Sequence, residues 1–163
     1  MKIFRLFLIL PLILSACSSA PESGKASEEM AWELSDQLEE MPPMVLAVGE
    51  LECMNIPESL EVSFRNSLGT KLALALKETD QTHQVVTRDK VDQIYSEQSL
   101  ALNGLTFQES QLKLGEILGA DAIITGTMIS VEDDLYRTSI QIIDTETGVV
   151  LGGSSWDFWF DSE

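Results

Sequence analysis

The 163 residues carry 27 acidic and 10 basic side chains, a formal charge of −17, with 44% hydrophobic residues. A surface this acidic repels phosphate backbones and argues against nucleic-acid partners. The sequence offers no cofactor signature either: it has no phosphate loop, no dinucleotide fingerprint and no Cys/His spacing suited to a metal.

Residues 1–16 read as a signal peptide, with Lys2 and Arg5 ahead of the apolar run Leu6 to Leu14 and small residues after it. That run is shorter than the roughly 20 residues a membrane-spanning helix requires. Leu14-Ser15-Ala16-Cys17 resembles the lipobox of bacterial lipoproteins, which implies that Cys17 is acylated, palmitate included, and becomes the mature N-terminus. An ordinary cleaved signal with an incidental Cys17 is the alternative. Ser18 rather than Asp after the cysteine implies, by the same resemblance, sorting to the outer membrane. The mature chain, Cys17 to Glu163, has 147 residues; without Lys2 and Arg5 it sets 8 basic residues against 27 acidic ones, a charge of −19. Cys53 is then the remaining thiol, so no intramolecular disulfide is available. Its place after an apolar strand reads as a small packed hydrophobe.

Residues 17–42 form a tether with a short amphipathic helix. Ser18 to Lys25 is small, polar and broken by Pro21 and Gly24. Ser27 to Met41 puts Met30, Leu34, Leu38 and Met41 on one stripe, with Ser27 as N-cap and Trp32 on the opposite side. Pro42-Pro43 ends the helix, and residues 43–163 form the domain. Met44 to Leu51 is a nearly continuous apolar run, expected for a central strand buried on both faces. Asn55, Pro57 and Glu58 start a helix whose stripe is Leu60, Phe64, Leu68, Leu72, Ala75 and Leu76, ending near Thr79. Gln84-Val85-Val86 is a short strand, paired in parallel by the crossover rule. Thr87 then caps a helix carrying Val91, Ile94 and Tyr95. After a loop at Asn103-Gly104, Thr106-Phe107-Gln108-Glu109 is a capping box, and its helix runs to about Leu118 and ends at Gly119.

Leu118 to Gly153 predicts a three-stranded antiparallel meander, its turns at Glu132-Asp133-Asp134 and at Thr145-Glu146-Thr147-Gly148. Along the middle strand Tyr136, Thr138, Ile140 and Ile142 share the buried face, and Arg137, Ser139 and Gln141 the wet one. The strand before it, Ala122 to Val131, is apolar on both parities and is expected to be covered on both sides. Gly126 within it marks a close approach, assigned to the Leu60 to Leu76 helix. The fold class is α+β: a mixed β-sheet with helices packed against it, in the order β-α-β-α-α-β-β-β.

Candidate chemistry is sparse. His83, the one histidine, stands before a strand edge and reads as an exposed loop residue rather than a general base. Glu132, Asp133 and Asp134 lack the spacing and glycine of a calcium loop and read as a solvated turn, as do Asp144 and Glu146. The terminal run places Trp156, Phe158 and Phe160 with Val150 on the core side. Trp159 falls with Ser155, Asp157 and Asp161 on the other. Trp159, Asp157 and Trp32 are the candidate interface residues; a tryptophan closing the sheet is the simpler alternative.

The series LAVGELE, a long helix, VVTRDKVDQIYSEQSLALNG and LGEILGADAIITGTMISVEDDLYRTSIQIIDTETGVVLGG resembles the superfamily of envelope lipoproteins that includes the curli-export lipoprotein CsgG and the penicillin-binding-protein activator LpoB. Its most distinctive residues are Arg88, the Glu97-Gln98 pair, the Leu118 to Ala122 run into Gly126, and the turn from Asp144 to Gly148. They are caps, turns and close-packing glycines, so they carry a fold rather than a chemistry. The resemblance implies a non-enzymatic, outer-membrane lipoprotein on the periplasmic face, with no cofactor, acting through an envelope protein partner. That partner is a penicillin-binding protein or, alternatively, a component of a flagellar, curli-like or secretion assembly. Homo-oligomerisation stays open, and an envelope hydrolase is the reading from another class. No inserted hairpin of transmembrane length interrupts the domain, which argues against a pore. The tether is short as well: Ser18 to Ser27 spans at most about 35 Å, and the helix adds about 22 Å.

Overall fold

The computed structural model describes residues 22–86, 90, 91, 93 and 104–160. Cys17, Thr87, Arg88, Ile94, Tyr95, the Glu97-Gln98 pair, Asn103 and Asp161 lie outside the described residues. The elements are α1 (Ser23–Leu38), β1 (Val45–Met54), α2 (Glu58–Glu78), β2 (Gln84–Val85), α3 (Phe107–Leu118), β3 (Ala122–Glu132), β4 (Leu135–Asp144) and β5 (Val150–Trp159). They build a mixed sheet in the order β2-β1-β3-β4-β5. β1 runs parallel to β2 and β3, and β3, β4 and β5 form the antiparallel meander. The fold is therefore α+β, as its sequence periodicities predict.

Each face of the sheet takes its own helices. On one, the α2 stripe Leu60, Phe64, Leu68, Leu72 and Leu76 joins Met30, Leu34 and Leu38 of α1 over Leu46, Ile124, Ile140, Ile142 and Phe158. On the other, Leu114 and Leu118 of α3 pack over Ala47, Ile123 and Ile143. This is why β1 has no polar parity in its first half: Leu46, Ala47 and Val48 are all buried. The capping box at α3 is complete, Thr106 Oγ1 accepting from Glu109 N–H and Glu109 Oε2 from Thr106 N–H at 2.9 Å. Gly119 closes the helix in the left-handed region, at φ 67°.

Several local expectations change. α1 starts one turn early, with Glu22 at the N-cap position, and ends at Leu38. Ser27 is consequently inside the helix, fully buried, and its hydroxyl meets Ser67 Oγ of α2 at 2.7 Å. The additional turn forms because Ala26 extends the buried stripe against α2. α1 thus packs in the core, and the reach reckoned from a tether plus a free helix shrinks accordingly. β3 is covered on both sides only from Ala122 to Thr125; Thr127, Ser130 and Val131 are exposed, because α3 reaches no further than the first half of the strand.

Gly126 is a close approach, but not to α2. A Cβ there would meet the backbone of β4, at the Ser139 carbonyl oxygen and at Ile140 Cα, 2.8 Å away. Val150 is exposed rather than on the core side, because the β4–β5 register shifts between Ile142 and Ile143; Leu151 packs against the core instead. Cys53 is exposed too, since the last three residues of β1, Glu52, Cys53 and Met54, run past the helical cover.

His83 is half-buried rather than an exposed loop residue. Met44 N–H donates to its Nδ1 at 3.1 Å, so the ring proton sits on Nε2 and donates to Leu38 O at 3.0 Å. The ring thereby straps the end of α1 to the start of β1. At the outer edge of the meander, Gly153 N–H donates to Gln37 Oε1 at 2.9 Å and Gln37 Nε2 donates to Gly153 O at 3.0 Å. One glutamine of α1 thus satisfies an edge-strand residue that would otherwise template a foreign strand.

Candidate functional site

Among the described residues, the helices leave the far half of the α3-side face uncovered. It is built by the period-2 alternation of β4 and β5: Tyr136, Thr138, Ile140 and Ile142 point into the core, which sends Arg137, Ser139 and Gln141 outward. The register sets Arg137 opposite Asp157 and Ser139 opposite Ser155. Arg137 makes a two-pronged pair with Asp157, Nε to Oδ1 at 2.7 Å and Nη2 to Oδ2 at 2.8 Å, and the two serine hydroxyls meet at 2.7 Å. The guanidinium holds the Asp157 carboxyl below its usual range, chiefly by hydrogen bonding, and the carboxylate raises Arg137 in return. Beside the pair is a shallow depression of about 500 Å³ bordered by Glu33, Ser155 and Trp156; Glu33 Oε2 accepts a short hydrogen bond from Ser154 Oγ.

The candidate interface residues do not form one patch. Trp159 and Asp157 share the open face of β5; Trp159 is 39% exposed and pairs in register with Leu135. Asp157 is already engaged by Arg137 and brings little free charge to a partner. Trp32 is half-buried on α1, in the helical layer on the other side of the sheet. Trp156 and Phe160 pack against the core, and Phe158 is fully buried, as the alternation predicts.

The remaining chemistry resolves into structure. Both ring nitrogens of His83 hold backbone groups. Cys53, though exposed, has its thiol pushed up to about 11 by desolvation and then by the nearby Glu61, so it carries negligible thiolate near neutral pH. Asp144 accepts from the N–H groups of Glu146 and Thr147 and from the Thr147 hydroxyl, closing the β4–β5 turn. Glu132 ends β3, and Asp134 takes φ 60° in the turn before β4. Among the described residues no group of His, Cys, Asp and Glu is placed to hold a metal, and no helix is long and apolar enough to cross a membrane.

A family model described as the curli production assembly/transport component CsgG matches residues 43–151. The chain belongs to the CsgG family. The matched span runs from just before β1 into the start of β5, so it takes in the parallel core of the sheet and most of the meander. Among solved structures, the fold is similar to the LpoB C-terminal domain from Escherichia coli, with a TM-score of 0.58 at 11% identity over 80% of this chain and 96% of that one. The corresponding domain from Salmonella enterica gives 0.59 at 12% identity, over 82% and 98%. The NMR structure of E. coli LpoB gives 0.57 at 13%, over 96% of this chain and 76% of that one. At such identities the likeness is one of fold. A comparison with curated protein sequences returns no significant match.

Three residues that matter to this CsgG-family sheet carry little sequence signal. Arg65 is 4% exposed on the apolar side of α2, its Nε 3.1 Å from Glu61 Oε1. Its only trace is a Glu-to-Arg spacing of four beside Phe64 and Leu68. It borders a cavity of about 480 Å³ that Val48, Leu74, Val86 and Val91 also line. Gln111, 1% exposed, accepts from Glu50 N–H at 2.9 Å. Gln37 is recognisable only once β5 is known to be the edge.

The carboxylates give a pH dependence of fixed sign. Asp157 and Asp144 are held below their ordinary 3.8, and Glu109 and Glu28 below their ordinary 4.5, by the hydrogen bonds of Arg137, Thr147, Thr106 and Lys71 respectively. Stability from a lowered carboxyl is fully present above its unfolded value and is lost as pH falls through the folded one. The urea midpoint should therefore be flat above about pH 5 and decline below about pH 4. Asp144→Asn should flatten part of that decline; a midpoint that rises on acidification would contradict these bonds.

Proposed function

We propose that the protein is an outer-membrane lipoprotein, held through an acylated Cys17 with its folded domain on the periplasmic side, that acts by binding another envelope protein. A penicillin-binding protein, whose peptidoglycan synthesis it would activate, is the leading partner. The observation that carries this reading is the family match over residues 43–151, in a chain that carries a lipobox-like Cys17 upstream of it. The similarity of the fold to LpoB supports the choice of partner. The face of Arg137, Ser139, Ser155 and Asp157 is the surface we assign to it. No reaction is part of this reading. The family description, an assembly and transport component, favours a second reading as an accessory of an envelope assembly.

Two measurements test this. Cys17→Ala should abolish fatty-acid labelling and release the protein from the membrane fraction; unchanged labelling removes the anchor. A photo-crosslinking residue at Ser155, compared with one at Lys77 on the exposed side of α2, should capture a discrete adduct that also binds labelled penicillin. An adduct that is an assembly protein selects the second reading, and no adduct from the open face rejects it as the binding surface.

A further inference from the structure

Glu22 lies beside Trp159: its backbone forms a parallel bridge to that residue on the outer edge of β5. Cys17 is five residues upstream, a span of at most about 18 Å when fully extended. If that cysteine is acylated, as proposed above, the Trp159 end of the sheet is held within roughly 25 Å of the headgroup layer. The same end gathers exposed apolar side chains from three strands: Trp159 at 39%, Val131 at 41% and Met54 at 62%. Register sets Trp159 in one row with Leu135 and Glu132, next to Val131, while Met54, the last residue of β1, stands at the same end two residues inside that row, opposite Ile129. The other exposed apolar pair of the meander, Val149 and Val150, is a strand length away, about 30 Å, beyond the tether's reach.

We infer that the sheet end carrying Met54, Val131 and Trp159 rests on the lipid surface to which Cys17 ties the chain. The domain then lies on the membrane instead of reaching away from it. Tryptophan suits that position, because its ring buries an apolar body at headgroup level while the indole N–H stays hydrated. The adjoining turn restricts the lipid: Glu132, Asp133 and Asp134 are exposed and repel anionic headgroups, so the surface is one of low net charge. Trp159 becomes a membrane contact, and the partner surface is confined to the Arg137–Asp157 region above it.

The test uses the full-length acylated protein in phosphatidylcholine vesicles whose acyl chains carry bromine, which quenches nearby indoles. Tryptophan emission should be quenched, and Trp159→Phe should lose most of that quenching while retaining its urea midpoint. Raising the phosphatidylglycerol fraction should weaken it. Inserting about twenty Gly/Ser residues after Ala20, ahead of the Glu22–Trp159 bridge, should lower the local concentration of the sheet end about tenfold and the quenching with it. Absence of the lipid by mass spectrometry overturns both this inference and the anchoring on which it rests. A lipidated protein that floats with the vesicles but shows no quenching dependent on Trp159 or on tether length overturns this inference alone. So does a photo-crosslinking residue at position 159 that captures a protein and no lipid in cells.

Discussion

Phe158→Ala should destabilise the domain by about 3 to 5 kcal/mol, a large part of the roughly 5 to 15 kcal/mol that holds a typical domain together. The ring is fully buried. It stacks on Phe64 of α2 with centroids 5.3 Å apart and planes 13° from parallel, and on Tyr136 at 6.0 Å. Alanine removes the contact by which the edge strand, the middle strand and the long helix meet, and the cavity left behind cannot collapse without moving α2. The check is the urea midpoint at unchanged slope, with Phe158→Leu intermediate. A loss under about 1 kcal/mol would mean that the ring does not fill the core. Phe158 lies beyond the family-matched span, which ends at residue 151, so this measurement also shows that the core extends past it.

Gly126→Ala and Gly126→Val should both be costly, at or above the upper end of the roughly 1 to 3 kcal/mol typical of overpacking. The obstacle is backbone: a Cβ would collide with the Ser139 carbonyl and approach Ile140 Cα to 2.8 Å. β4 can recede only by breaking its pairing with β3. Because the first carbon already clashes, alanine carries most of the penalty. A flexible helix side chain at that place would instead tolerate alanine and resist valine. Ser139→Val is the control: it loses one hydroxyl contact to Ser155 on a half-exposed face, worth about 1 kcal/mol. Comparable urea midpoints for Gly126→Ala and the control would place Gly126 in open space.

Much of the fold was legible because its signals are local. The stripe from Leu60 to Leu76, the capping box at Thr106, the helix end at Gly119 and the turn closing at Gly148 are decided by side chains within a few residues of one another, and all appear where expected. The positions at which the structure departs from local preference share a different cause. Ser27 is a good cap by chemistry, but an additional turn buried against α2 outweighs one capping bond. Val150 follows the alternation of β5 until a bulge one residue later reverses it. Cys53 continues an apolar strand, yet the helices stop short of it.

The candidate surface divides in the same way. Period-2 alternation alone determined that Arg137, Ser139, Asp157 and Trp159 leave the core while Tyr136, Ile140, Ile142 and Phe158 enter it, because strand side chains must alternate whatever lies around them. The sequence likewise determined the α+β class. Only the tertiary structure decided that α3 covers half of that face, that Asp157 is engaged by Arg137, that Gln37 closes the β5 edge, and that Glu22 lies beside Trp159. Each of these joins residues between 20 and 137 positions apart, and no local preference encodes such a pairing. It follows from the register and helix placement that bury the most apolar surface together.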